Sequence, residues 1–120
     1  DGVAELLREA KSRLDLLESA DELATLAIVR ARFARAQGHV DEALDDIRAA
    51  LEDADLPPST QGRLYLAAAH AYGEQGDITQ ATAVALQAAR RFTEAGDVTQ
   101  ARAAWEFVDE TTQAAEQANA

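Results

Sequence analysis

Apolar side chains recur at three- and four-residue spacing along most of the chain, the mark of one-sided helices. Glycine, proline and capping residues divide that pattern into six helix-length segments. The first, residues 3–17, places Val3, Leu6, Leu7, Ala10, Leu14 and Leu17 on one face. The second, residues 22–37, has Asp21 as its N-cap and Gly38 as its C-terminal stop. The third, residues 40–53, ends before Leu56-Pro57-Pro58-Ser59, the one clear loop, because a proline disfavours helix at the residue before it. The fourth, residues 60–75, ends at Gly76, and the fifth, residues 78–95, at Gly96. A sixth begins near Val98 and frays through an Ala/Gln-rich tail, residues 113–120. No stretch alternates apolar and polar residues as a half-buried strand would. Connections this short force consecutive helices to pack antiparallel.

A corner motif recurs. Gly38-His39-Val40-Asp41-Glu42-Ala43 matches Gly76-Asp77-Ile78-Thr79-Gln80-Ala81 and Gly96-Asp97-Val98-Thr99-Gln100-Ala101. Glycine closes one helix at positive φ, which costs it little. Asp77 and Asp97 cap the next helix. The Val or Ile anchors that helix's first turn, and the Ala lets the two helices approach closely.

On these residues the chain resembles the tetratricopeptide repeat family, whose helix pairs recur every 34 residues with small side chains at set positions. One repeat spans 24–57, with Ala31, Ala43 and Ala50 at the small positions and Gly38 at the turn. A second spans 62–95, where Tyr65, Ala69, Tyr72, Gly76, Ala81 and Ala88 match the aromatic, small and turn series. Residues 96–118 form an incomplete repeat or capping helix, with Ala103 at its small position. Residues 1–20 form an N-terminal helix or the truncated end of a preceding repeat. The match departs from the pattern at Ala27, Ala34 and Ala85, where larger residues are usual, and in four residues inserted at 58–61. The third glycine corner follows the second by 20 residues and so falls between repeats. The resemblance implies an all-α fold over residues 1–120: antiparallel helical hairpins stacked as a short right-handed solenoid of about six helices.

Composition sharpens this picture. Alanine supplies 29 of the 120 residues against 13 Leu, so helices must sit close with small contacts between them. Cysteine is absent, which excludes disulfides, thiolate metal sites and cysteine nucleophiles. No run approaches the roughly 20 apolar residues of a membrane span, and the first residues carry neither the basic start nor the apolar stretch of a signal peptide. The chain lacks methionine altogether, and the expectation is that it is a piece of a longer, cytoplasmic protein. Its net charge of −11 argues against nucleic acid as a partner, since phosphate neutralisation needs a basic footprint. Ten of the eleven basic residues are Arg, a bias that fits a GC-rich bacterial genome and also suits carboxylate recognition.

Candidate chemistry is sparse. His39 and His70 have no second histidine at helical spacing, so no metal or cofactor is expected, and no enzyme motif is present. Asp41, Glu42, Asp45, Asp46, Glu52, Asp53 and Asp55 crowd one segment with only Arg48 opposing them, as a solvated outer face or a docking patch for a basic partner. Val98, Ala101, Trp105 and Val108 share a face that should pack on the fifth helix through Val84, Leu86 or Phe92, leaving Phe107 off the stripe. The resemblance implies a concave surface built from the first helix of each pair. Its groove positions are Thr25, Ile28, Arg32 and Arg35 in the first repeat, and Arg63, Leu66, His70 and Gly73 in the second. Such a groove suits an extended or helical peptide bearing an acidic group and an apolar anchor. The other role for these arginines is pairing with Asp or Glu on neighbouring helices. The expected function is thus a protein- or peptide-binding scaffold. The alternative is a self-associating homo-oligomeric segment without a peptide ligand.

Overall fold

The computed structural model describes residues 2–52 and 55–118, and the backbone alone at 16–18. Among these residues the chain is all-helical, with five helices: α1 (Gly2–Ala36), α2 (Val40–Leu51), α3 (Pro58–Glu74), α4 (Ile78–Ala95) and α5 (Val98–Ala118). The predicted end of the third helix at Asp53, the side chain of Leu17 and the last two residues of the tail lie outside the described residues.

The glycine corners form as the motif requires. Gly38, Gly76 and Gly96 have φ of +82°, +76° and +74°. At each, the amide after the glycine bonds a carbonyl five residues back: His39 to Ala34 at 2.8 Å, Asp77 to Tyr72 at 3.0 Å, Asp97 to Phe92 at 2.9 Å. The glycine's own amide bonds a carbonyl three residues back, completing a Schellman motif that satisfies the last helical acceptors. Asp77 and Asp97 each accept the amide of the third residue on, Gln80 and Gln100, at 3.1 Å. His39 makes no such cap. Ala43, Ala81 and Ala101, the closing alanines of the motif, are all buried. The anchoring role holds at Val40 and Ile78, which are half-buried, but not at Val98, which is 70% exposed.

The helix count differs from expectation because the first two segments are one 35-residue helix. No glycine or proline stands between residues 3 and 37, and an N-cap signal at Asp21 cannot by itself end the helix before it. Asp21 lies in mid-helix and its carboxylate binds α3 instead. At 1.5 Å per residue α1 is about 52 Å long. Its first half runs beyond the other helices, which gives the molecule its 69 × 29 × 19 Å extents. Val3, Leu6, Leu7 and Leu14, expected on a packed face, are 59–66% exposed.

Beyond that projection the helices pack in chain order. Fourteen of the twenty buried apolar residues described are Ala, so close helix approach, not bulk, builds the core. One cluster joins α1, α2 and α3 through Ala31, Ile28, Leu44, Ile47 and Leu64; a second joins α4 and α5 through Ala88, Ala89, Phe92, Ala101 and Ala104. Ala31, Ala43, Ala69, Ala81 and Ala88 are buried, and Ala50 is half-buried. Ala27, Ala34 and Ala85, where larger residues were expected by resemblance, are buried as alanines. Pro57 caps α3 and Pro58 is its first residue, so the helix starts inside the expected loop, where a proline's missing amide has no helical partner to lose.

α5 is phased by its corner, not by a 34-residue step. Ala101 and Ala104 are buried, whereas Ala103 is exposed. Trp105, expected in the core, is 45% exposed, and Phe107, expected off the stripe, is half-buried against α3. The stripe of buried Ala101, Ala104 and Thr111 with half-buried Val108 sets the phase: residue 105 falls to one side of it and residue 107 to the side that faces α3.

Candidate functional site

Two polar clusters hold α1 alongside α3. At one end, the Thr60 hydroxyl and Arg63 Nη1 donate to Asp21 Oδ1 at 3.2 and 3.1 Å, and Arg63 Nη2 donates to Thr25 Oγ1 at 3.0 Å. At the other, Arg35 binds Glu74 through two guanidinium nitrogens, with Nε at 3.0 Å from Oε1. Residues 21 and 25 meeting 60 and 63, and 35 meeting 74, require the two helices to run in the same direction. Between the clusters a hollow opens, with α2 behind it contributing no lining residue.

This hollow holds about 230 Å³. Thr25, Ile28, Arg32 and Arg35 line it from α1, and Arg63, Leu66 and His70 from α3. All seven side chains assigned to a groove by resemblance thus border this one hollow. Phe92 of α4 and Gln100 of α5 complete the wall. Gly73 is not part of it: a Cβ there would sit 3.8 Å from the Phe107 ring. A shallower hollow of about 390 Å³ continues past Arg32, Arg35 and Glu74.

The three arginines differ in their engagement. Arg35 and Arg63 pair with Glu74 and Asp21, the neighbour-helix role anticipated for such residues. Arg32 is exposed and has no hydrogen bond or ion pair with the described residues, so its guanidinium is available. Beside it, the His70 ring packs edge-on against Phe107, centroids 4.9 Å apart at 79°. Partial burial against that ring lowers the His70 pKa, and the positive charges of Arg35 and Arg32 lower it further, outweighing the opposite pull of Glu74 and Glu110. His70 is therefore neutral at pH 7. The Arg35 hydrogen bond holds the Glu74 carboxyl below its ordinary pKa. The net local field in the hollow is that of one uncompensated cation beside an apolar wall of Ile28, Leu66 and Phe92.

Asp21, Glu74, Gln100 and Phe107 contact or border these groove residues without having been expected there. Asp21 and Glu74 carried a usable signal, since each lies within a turn of a groove arginine's counterpart on the parallel helix. Gln100 and Phe107 carried none, because their approach depends on where α5 crosses α3. Asp41, Glu42, Asp45 and Asp46 of the acidic segment lie on α2, away from the hollow, with Glu52 just past its end. There Asp41 accepts Gln75 Nε2 at 2.7 Å, and Arg48 reaches Asp45 at 3.6 Å and the Tyr72 hydroxyl at 2.7 Å, its guanidinium carbon 5.9 Å from the Tyr72 ring centroid. Asp53 lies outside the described residues. None of the described helices is long and apolar enough to cross a membrane. Comparison with protein-family models, curated proteins and solved structures finds no match to this chain.

Proposed function

We propose that the chain is a protein- or peptide-binding scaffold of the tetratricopeptide type, taking an acidic side chain or carboxylate of its ligand between α1 and α3. The observation that carries this reading is Arg32: a guanidinium without a partner at the mouth of an apolar hollow, on a molecule of net charge −11. An Arg left unpaired at a hollow whose other arginines, Arg35 and Arg63, are already engaged is a favourable place for an incoming anion, and its planar fork suits a carboxylate. The repeat register is supported by the Thr25–Arg63 hydrogen bond, which joins the same position of the two repeats. The parallel run of α1 and α3 and the burial of the small positions support it as well.

A hollow of this size admits one side chain and not a folded segment. The ligand therefore places a Glu, Asp or C-terminal carboxylate at Arg32, with an adjacent apolar group against Ile28 and Leu66, and the rest of it lies along the surface. Fluorescence polarisation of labelled acidic peptides pairing Asp or Glu with Leu or Phe tests this. Arg32→Glu should weaken binding at least tenfold with the circular dichroism unchanged. Equal binding by wild type and variant refutes the site. Arg63→Glu is the poorer probe, because it sets a carboxylate against Asp21 and loosens α1 from α3.

A further inference from the structure

Two ionisable groups on the wall of the hollow have no hydrogen bond or ion pair with the described residues: Arg32 on α1 and His70 on α3. Arg35 and Arg63 are engaged by Glu74 and Asp21. The His70 ring rests on one side against Phe107 and is otherwise exposed, so a bound molecule and a proton both reach it. Charged groups face it from three helices: Arg32 and Arg35 from α1, Glu74 from its own α3, and Glu110 from α5. From α4 only Phe92 reaches the wall, and α5 adds the uncharged Gln100.

These surroundings work against a charge on the ring. Burial against Phe107 and the two guanidiniums favour the neutral imidazole more strongly than Glu74 and Glu110 favour the cation. A carboxylate seated between Arg32 and His70 reverses that balance. It offsets the field of Arg32 and gives an imidazolium an opposite charge of its own. The two equilibria are linked, so a ligand that strengthens proton binding at His70 is itself bound more tightly by the protonated chain, and by the same factor.

Resting on the carboxylate site at Arg32, we propose that the hollow binds its acidic ligand more tightly as the pH falls from 7.5 to 5.5, His70 taking a proton from solvent and becoming the second cation on the carboxylate. The ligand's own carboxyl, with an ordinary pKa of about 4, keeps its charge over this range, as does Glu74, held lower by Arg35. An opposite charge within about 4–6 Å favours the protonated ring by roughly one pKa unit or more, which makes the affinity rise on the order of fivefold across the range. The chain supplies its own control. His39, the other histidine, lies in the corner between α1 and α2, 3.5 Å from Glu42 and outside the hollow, so its protonation changes the net charge equally without touching the ligand.

Fluorescence polarisation of a rhodamine-labelled peptide carrying a Glu-Leu pair, whose dye does not titrate here, gives Kd from pH 7.5 to 5.5. Wild type and His39→Gln should each gain about fivefold in affinity, whereas His70→Gln should stay within about twofold. Both histidines are exposed, so folding is retained. Calorimetry at pH 6.5 in buffers of different ionisation enthalpy should show net proton uptake on binding by wild type and none by His70→Gln. Arg32→Glu at pH 7.5 separates this proposal from the reading beneath it. If that variant loses the peptide while wild type binds equally at both pH values, the carboxylate site stands and the role of His70 falls. A pH dependence that persists in His70→Gln, or that His39→Gln abolishes, overturns the proposal as well. No binding at any pH removes both.

Discussion

Gly62→Ala tests the central packing claim, because two effects of similar size act there in opposite directions. Gly62 is buried in the first turns of α3 without positive φ, so an alanine fits the backbone and raises helix propensity by about 1 kcal/mol. Against that, its Cβ would stand 2.8 Å from Phe92 Cε1 and 2.9 Å from Cδ1, nearer than carbon atoms tolerate. Phe92 is 1% exposed and packed among Ala88, Ala89, Ala101 and Ala104, so its ring can give way only toward the hollow it walls, at the expense of that packing. Overpacking of this kind costs typically 1–3 kcal/mol. The clash should win, leaving Gly62→Ala less stable by about 1 kcal/mol, or roughly 5 °C in Tm for a domain of this size. Gly73→Ala is the control: there the new Cβ meets Phe107 at 3.8 Å, an ordinary contact, so the variant should be neutral to slightly stabilised. Urea denaturation followed at 222 nm reads both. Phe92→Leu should relieve the Gly62→Ala penalty, with a coupling energy of about 1 kcal/mol in a double-mutant cycle. A Gly62→Ala protein more stable than wild type, uncoupled from residue 92, would show that α3 and α4 do not approach this closely at that point.

Three further outcomes follow from the same contacts. Gly96→Ala forces a Cβ into φ +74° and should cost about 1–2 kcal/mol, with Gly96→Asn losing less; the urea midpoints decide. Asp77→Ala removes the cap on the Gln80 amide and should cost about 1 kcal/mol, which Asp77→Ser should largely restore. His70 binds its proton more weakly in the folded chain than in the unfolded one, so the unfolded state holds more protons between the two pKa values and stability rises with pH there. Its contribution is full above about pH 6.5 and is lost as pH falls through the depressed folded value. Wild type should therefore lose more stability than His70→Gln between pH 7.5 and 5.5. Parallel curves for the two proteins would refute the assignment. Glu74 acts lower on the scale: its stabilisation is present above the ordinary carboxylate pKa and disappears only as the Arg35-bound carboxyl takes up its proton.

Local chemistry was legible in the sequence wherever a residue's role depends on its own backbone. The three corners at Gly38, Gly76 and Gly96, the caps at Asp77 and Asp97, and the buried Ala43, Ala81 and Ala101 could be read from spacing, because positive φ, capping and close approach each demand a residue type at a fixed offset. The seven side chains that the family resemblance placed in a groove border one hollow, because the register of two parallel helices carries them to one face together. Other features needed the tertiary structure. That the Asp21 carboxylate meets Thr60 and Arg63, residues about 40 positions away, follows only from α3 lying alongside α1. Whether Trp105 or Phe107 turns inward depends on the angle at which α5 leaves Gly96, which a corner motif does not specify. Which arginine stays free depends on where Asp21 and Glu74 lie across the gap from α1 to α3. Periodicity defines a helix's faces, but only the placement of neighbouring helices decides which face is covered, which charge is paired and which is left for something else to bind.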